Sequence, residues 1–157
     1  MATTSERPRV LFLCTGNACR SQMAEGWTRH LFGDRIDACS AGTAPSGLSP
    51  LAVRAMSEAG VDIRSHTSKH VEACSAERID LVVAVCDHAA ERCPVFPGRT
   101  AVLRRGFDDP PRLAAGARSE EEAMMHYRRV RDEIRAFVEG LPRILADRCC
   151  TTNEVES

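Results

Sequence analysis

Lysine is almost missing from this chain: of 157 residues only Lys69 is one, and the other twenty basic residues are arginine. Planar guanidinium forks suit oxyanions, but they serve equally well as solvated surface. Neither charge sign is in excess, the net charge being -1, which removes the bulk electrostatic case for nucleic acid or an anionic membrane. No stretch approaches the roughly 20 apolar residues of a membrane span. The start, "MATTSERPR", lacks the apolar core of a secretory signal. There is no internal repeat, low-complexity block or interdomain linker. These absences predict one cytoplasmic domain over residues 1–148, large enough for a core without disulfides or a structural metal, followed by a polar tail at 149–157.

What is abundant is cysteine, eight residues in all. In a reducing compartment that number argues for thiol chemistry, metal binding or plain burial rather than a static disulfide scaffold. Apolar runs bounded by turn signals occur at "RVLFLC" (9–14), "IDACSAG" (36–42), "IDLVVAVC" (79–86) and "TAVLRR" (100–105), and read as buried strands. Helical patterns alternate with them. Met23, Trp27 and Leu31 recur at four-residue spacing; "SPLAVRAMSEAG" has Ser49 as N-cap, Pro50 at the first position and Gly60 as stop. A last helix opens with a capping box from Ser119 to Glu122 and presents Ala123, Tyr127, Val130, Ile134, Phe137, Val138 and Leu141 on one face, with Pro142 expected to end or kink it. Alternation of this kind predicts a doubly wound α/β domain, a mainly parallel sheet with helices on both faces, and a site at the carboxyl ends of the strands. Cys14 and Cys86 end predicted strands, and "GFDDPP" follows the fourth, so all three should converge on one edge.

A cysteine followed six residues later by arginine marks an oxyanion-binding loop, yet with this composition chance alone supplies about one match. Three occur: Cys14 to Arg20, Cys86 to Arg92 and Cys93 to Arg99. Donor geometry separates them. "CPVFPGR" loses two amide donors to Pro94 and Pro97, and "CDHAAER" puts Asp87 and Glu91 where they would repel an anion. Only "CTGNACR" follows a strand, is free of proline and acid, offers Gly16 and Asn17 for unusual φ values, and feeds a helix at Ser21. Residues Thr15, Gly16, Asn17, Ala18, Cys19, Arg20 and Ser21 would then bind the oxyanion. Amides, a helix N-terminus and Arg20 favour a thiolate nucleophile at Cys14, Arg20 can hold two oxygens at once, and Ser21 can donate to the sulfur. The leaving oxygen needs a general acid; "FDDPP" offers Asp108 and Asp109, and Asp109 is expected because Pro110 fixes the chain extended immediately after it.

Cys86 and Cys93 exceed what one nucleophile requires. A helical "DHAAER" would separate their Cα atoms by roughly 10 Å, beyond the disulfide limit of about 7 Å. Pairing would therefore unwind the segment, and a redox-driven conformational switch is expected at 86–93, the alternative being two buried structural cysteines.

With these residues in place the chain resembles the thioredoxin-coupled arsenate reductases built on the low-molecular-weight tyrosine phosphatase fold. The resemblance runs from "CTGNACRSQMAEGW" through "SAGT", "DIRSHTS", "DLVVAVCDHAAERCP" and "GFDDPP" to the last helix. It implies a four-stranded parallel sheet in the order 2-1-3-4. It also implies arsenate as substrate, phosphate or sulfate as analogues, and a relay in which Cys14 attacks arsenate, Cys86 attacks Cys14, Cys93 resolves that disulfide and thioredoxin reduces the last pair. Some members bind potassium beside the loop. Asn17, Glu25 and Ser40 match that site, but Lys69 stands where those members carry aspartate, so neither potassium nor any other bound cofactor is expected.

Other clusters carry blander readings. His66, His70 and Cys74 are four residues apart and could line a helix face as metal ligands, without a fourth in view. Cys39 and Cys74 read as small buried hydrophobes, Cys19 has no role in the relay, and the adjacent Cys149 and Cys150 read as accidental. Two rival functions remain: a tyrosine phosphatase using the same loop and acid, and a thiol redox sensor or arsenic-binding protein without turnover. Against the phosphatase, "DDPPRLAAG" lacks aromatic walls and the sole tyrosine, Tyr127, lies on a core face.

Overall fold

The computed structural model describes residues 7–74, 78–86 and 100–150, with backbone alone at 148–150. Strand β1 (Arg9–Cys14) leads through a loop into helix α1 (Arg20–Phe32), then β2 (Asp37–Gly42), α2 (Pro50–Glu58) and a 3-10 turn at Val71–Cys74. Strands β3 (Leu81–Ala84) and β4 (Ala101–Arg104) follow, then α3 (Pro110–Ala114), α4 (Glu120–Glu139) and α5 (Leu141–Cys150). The four strands form one parallel sheet in the order β2-β1-β3-β4, with Leu13 opposite both Ala41 and Ala84. Val10, Leu11, Phe12 and Leu13 are all fully buried. Consecutive strand residues face opposite sides, so both faces of β1 are covered, and a Leu13→Ala cavity would cost about 2–5 kcal/mol. Trp27 on α1 joins that core and donates its indole N–H to the Arg131 carbonyl of α4 at 3.2 Å.

Local sequence signals set the boundaries of α2. Ser49 Oγ accepts from Ala52 N at 3.2 Å, Pro50 occupies the first turn, and Gly60 closes the helix at φ 87°. The amide of Gly60 reaches Ser57 O and that of Val61 reaches Met56 O, the paired bonds of a Schellman end.

Two expectations need correction. Ser119 caps α4 by accepting from Glu122 N, but Glu122 Oε1 takes the amide of Arg118, one residue before the box partner. The break after α4 falls at Gly140, and Pro142 lies in the first turn of α5, where its missing N–H costs nothing. Helix α5 carries the backbone through Cys149 and Cys150. Phe137 packs against the core from the same face of α4, partly buried and edge-on to Phe107, with Arg105 across its ring. Among the described residues no helix is long and apolar enough to cross a membrane.

Candidate active site

Cys14 ends β1, and residues 15–19 wrap its sulfur before α1 begins. The turn is built by its outward face. The carbonyl of Thr15 accepts from Ala44 N at 2.8 Å, that of Gly16 from Ser46 N at 2.9 Å and Ser68 Oγ at 3.1 Å, that of Asn17 from Gln22 Nε2 at 3.0 Å, and that of Ala18 from Ser49 N at 2.9 Å. In a planar trans peptide the N–H points opposite to the C=O. Four carbonyls turned out therefore turn the amides of Gly16, Asn17, Ala18 and Cys19 inward. Asn17 N–H proves the direction by donating to Cys14 Sγ at 3.2 Å.

Asn17 is the one non-glycine residue with positive φ among those described, at 48°, in the left-handed region that asparagine tolerates. Gly16 serves differently from the expectation: its φ is ordinary, and what it supplies is space, since a Cβ there would lie 2.8 Å from Ser46 Oγ. Gly42, at the end of β2, makes the tighter approach. A Cβ there would meet Thr15 O at 2.5 Å and Asn17 N at 2.9 Å.

Behind the loop the Asn17 side chain is fully used. Its Nδ2 donates to Ser21 Oγ at 2.9 Å and Ser40 Oγ at 3.0 Å, and its Oδ1 accepts from Lys69 N at 2.8 Å. Ser40 Oγ donates to Glu25 Oε1 at 2.6 Å, and Arg29 holds Glu25 Oε2 at 2.9 Å. His66 Nδ1 donates to Gln22 Oε1 at 3.1 Å, and burial, the largest influence on its ring, pushes its pKa below the ordinary histidine value. Asn17, Glu25 and Ser40 therefore meet as their spacing suggests, but their oxygens face N–H and O–H donors of the protein itself.

On the reactive side Ser21 Oγ lies 2.9 Å from Cys14 Sγ. Arg20 sends one amino group to Phe107 O at 3.1 Å and the other to Asp109 Oδ1 at 3.4 Å, which brings the residue after β4 to the mouth of the loop. Asp109 has the extended backbone expected before proline, φ -96° and ψ 103°, but the chain turns helical at Pro110 instead of continuing extended. Its carboxylate caps nothing in α3 and remains turned to Arg20. Cys86 is buried just past β3, its sulfur 3.4 Å from Thr15 Oγ1, so the second thiol rests on the residue after the first. Burial pushes the Cys19 thiol far above its ordinary range, which keeps it protonated beside a reactive neighbour. Cys93 and the 87–92 segment lie outside the described residues.

The possible metal triad separates. His66 lies in irregular backbone bound to Gln22, His70 accepts the amide of Glu72, and only Cys74 is in the 3-10 turn. Among the described residues no group of three or more His, Cys, Asp or Glu could hold a metal ion. Sequence reasoning missed the outer frame of Ser46, Ser68, Gln22 and the Phe107 carbonyl. Ser46, Ser68 and the Phe107 carbonyl are paired across long separations to Gly16 or to Arg20, which leaves no local spacing to read; Gln22, five residues from Asn17, was within reach of a local reading.

A family model described as low molecular weight phosphotyrosine protein phosphatase matches residues 9–148. An arsenate reductase of Halalkalibacterium halodurans is 47% identical over 125 residues, 80% of this chain and 88% of that protein. Among solved structures, an arsenate reductase in the phosphate-binding state superposes with a TM-score of 0.68 at 29% identity, covering 89% of this chain and 98% of that one. A thioredoxin-dependent arsenate reductase from Corynebacterium glutamicum gives 0.61 at 25% identity, covering 92% of this chain and 64% of that one.

Proposed function

The chain belongs to the low molecular weight phosphotyrosine protein phosphatase family, and on that premise we propose that it reduces arsenate to arsenite in the cytoplasm by a relay of its own thiols. The observation that carries the reading is a second thiol, Cys86, held on Thr15 beside a loop whose amides converge on Cys14. A phosphatase needs only the loop.

Arsenate, a tetrahedral oxyanion, enters the ring of inward amides and competes with Asp109 for the Arg20 guanidinium, which binds two of its oxygens. The Cys14 thiolate forms a sulfur–arsenic bond while Asp109, released from Arg20, serves as the general acid to the departing oxygen, which leaves as water. Cys86 then attacks the Cys14 sulfur. The electron pair of the breaking sulfur–arsenic bond goes to arsenic, arsenite leaves, and a Cys14–Cys86 disulfide remains. Cys93 attacks Cys86 and frees Cys14, and a thioredoxin dithiol reduces the Cys86–Cys93 disulfide by thiolate exchange. No bound cofactor takes part, and potassium has no place in the site. Phosphate shares the geometry of arsenate, so a weak phosphatase activity accompanies the main reaction; Tyr127, buried in the core, offers no aromatic wall for a phosphotyrosine ring.

Mass-spectrometric disulfide mapping after one equivalent of arsenate tests the relay. The expected product is a Cys86–Cys93 link together with arsenite, and turnover with thioredoxin, thioredoxin reductase and NADPH that stops in Cys93→Ala. Phosphate release without any such link would make the protein a phosphatase, and a link without arsenite production would make it a redox sensor.

A further inference from the structure

Phe107 touches two guanidiniums, one with its carbonyl and one with its ring. Beyond β4 the chain stays in the hydrogen-bond ladder of the sheet: Arg105 N donates to Ala84 O at 2.9 Å and Phe107 N to Val85 O at 3.1 Å. Residues two apart on extended backbone share a face. The side chains of Arg105 and Phe107 accordingly meet, with Arg105 Cζ 4.3 Å from the centre of the Phe107 ring. The same guanidinium lies 5.9 Å from the centre of the Phe137 ring on α4, and its Nη1 donates to Gly106 O at 2.7 Å. The carbonyl of Phe107 accepts from Arg20 Nη1 at 3.1 Å.

The acids that follow Arg105 in the chain are engaged elsewhere, Asp108 with Arg129 at 3.0 Å and Asp109 with Arg20 at 3.4 Å. Arg105 is given instead to the rings. A cation over an aromatic face is attracted by the ring quadrupole, and a planar guanidinium can also stack on it. Phe107 is buried, with Phe137 edge-on to its ring and Arg105 over the face. With the ring held on two sides and the amide tied to Val85, the direction of the Phe107 carbonyl is set. That carbonyl is the neutral contact of Arg20, whereas Asp109 is the contact that an incoming oxyanion displaces.

We propose that Arg105 is a positioning residue for oxyanion binding: by clamping the Phe107 ring it sets the carbonyl that aims the Arg20 guanidinium into the loop. A guanidinium holds two oxygens at once only when its plane is aligned with them, and one fixed Nη1 restricts that plane. Loss of the clamp therefore weakens the grip on the anion. It leaves in place the groups that face the Cys14 sulfur, Ser21 Oγ and the Asn17 amide, which are held from the other side of the loop. The inference rests on the reading of Arg20 as the residue that holds the oxyanion, and it applies to arsenate and phosphate alike.

Inorganic phosphate is the probe, and its protection of Cys14 from iodoacetamide, read by peptide mass, reports oxyanion binding without turnover. Arg105→Ala and Arg105→Lys should each raise the phosphate concentration for half-protection by about three- to tenfold, the scale of an exposed cation–π contact, because lysine keeps the charge but not the planar stack. The loss should persist when sodium chloride is raised. Alkylation of Cys14 without phosphate should keep the unsubstituted rate, a split that general loosening of the loop would not give. In Phe107→Leu, which keeps the carbonyl and loses the ring, Arg105→Ala should weaken protection no further. Unchanged protection in Arg105→Ala overturns the proposal, as does a parallel change in unprotected alkylation or an undiminished effect in Phe107→Leu. Normal protection in Arg105→Lys, with an alanine loss that salt abolishes, overturns it too, since Arg105 would then act only as a screened attracting charge. Arsenate turnover is measured apart: a chain that follows the expected phosphate pattern but yields no arsenite would overturn the reductase reading alone.

Discussion

Ser21 Oγ lies 2.9 Å from the Cys14 sulfur and at the same time accepts the Asn17 side-chain amide at 2.9 Å. The hydroxyl thus bridges Asn17 and the sulfur, and the amide of Asn17 approaches the same atom from the loop. A hydrogen bond to a charged acceptor contributes about 1.5–3 kcal/mol. Ser21→Ala should therefore slow iodoacetamide alkylation of Cys14 at neutral pH by roughly ten- to a hundredfold, with a matching fall in arsenate turnover, while the melting temperature changes little. Unchanged alkylation would mean that the hydroxyl is only packing.

Gly42→Ala tests the frame of the loop. A Cβ would lie 2.5 Å from Thr15 O, a backbone atom with no flexible end to swing away. Overpacking of this kind costs about 1–3 kcal/mol, and the displaced atoms are those that aim the loop amides. Stability measured by urea unfolding should fall within that range, and kcat should fall by a larger factor than the stability loss explains. A variant with native kinetics would show that the loop tolerates the shift.

His66 gives the protein an acid-sensitive element. Burial, opposed by Glu25 and reinforced by Arg29 and Lys69, lowers its folded pKa below the value near 6.5 of the unfolded chain. Between the two values the unfolded state binds more protons, so stability rises with pH. The contribution is complete above about pH 6.5 and is lost as pH falls through the folded value. Urea midpoints between pH 8 and pH 5 should drop more steeply for this protein than for His66→Gln, which keeps a hydrogen-bonding side chain facing Gln22. Parallel curves would remove His66 from the pH dependence.

Lys69 carries the potassium question. Its amide occupies Asn17 Oδ1, and its charge is felt at His66. In Lys69→Asp a carboxylate replaces the ammonium, and potassium chloride should then raise the melting temperature and turnover relative to choline chloride at equal ionic strength. The unsubstituted protein should show no such difference. Equal potassium dependence in both would overturn the assignment.

The boundaries of the fold and the reactive positions differ in how they were encoded. Ser49, Pro50 and Gly60 mark α2 because capping and left-handed turns are local, and β1 declares itself through a run buried on both faces. The end of α4 was less legible. Pro142 looked like a terminator, although proline in a first turn fits a new helix equally well, and the choice depended on packing beyond Gly140. The separation of His66 and His70 has a similar cause: four-residue spacing implies a shared face only in a helix, and bonding to Gln22 and Glu72 holds these residues outside one.

By itself the sequence determined the alternation of strands and helices, and it selected "CTGNACR" from three spacing matches because proline and acid exclude the other two. Both follow from constraints that act within a few residues. Only the tertiary structure decided which way the loop amides point, since that depends on partners at Ala44, Ser46, Ser49 and Ser68 gripping the carbonyls from outside. It also decided that Asp109 meets Arg20, because parallel crossovers bring together residues separated by long stretches of chain.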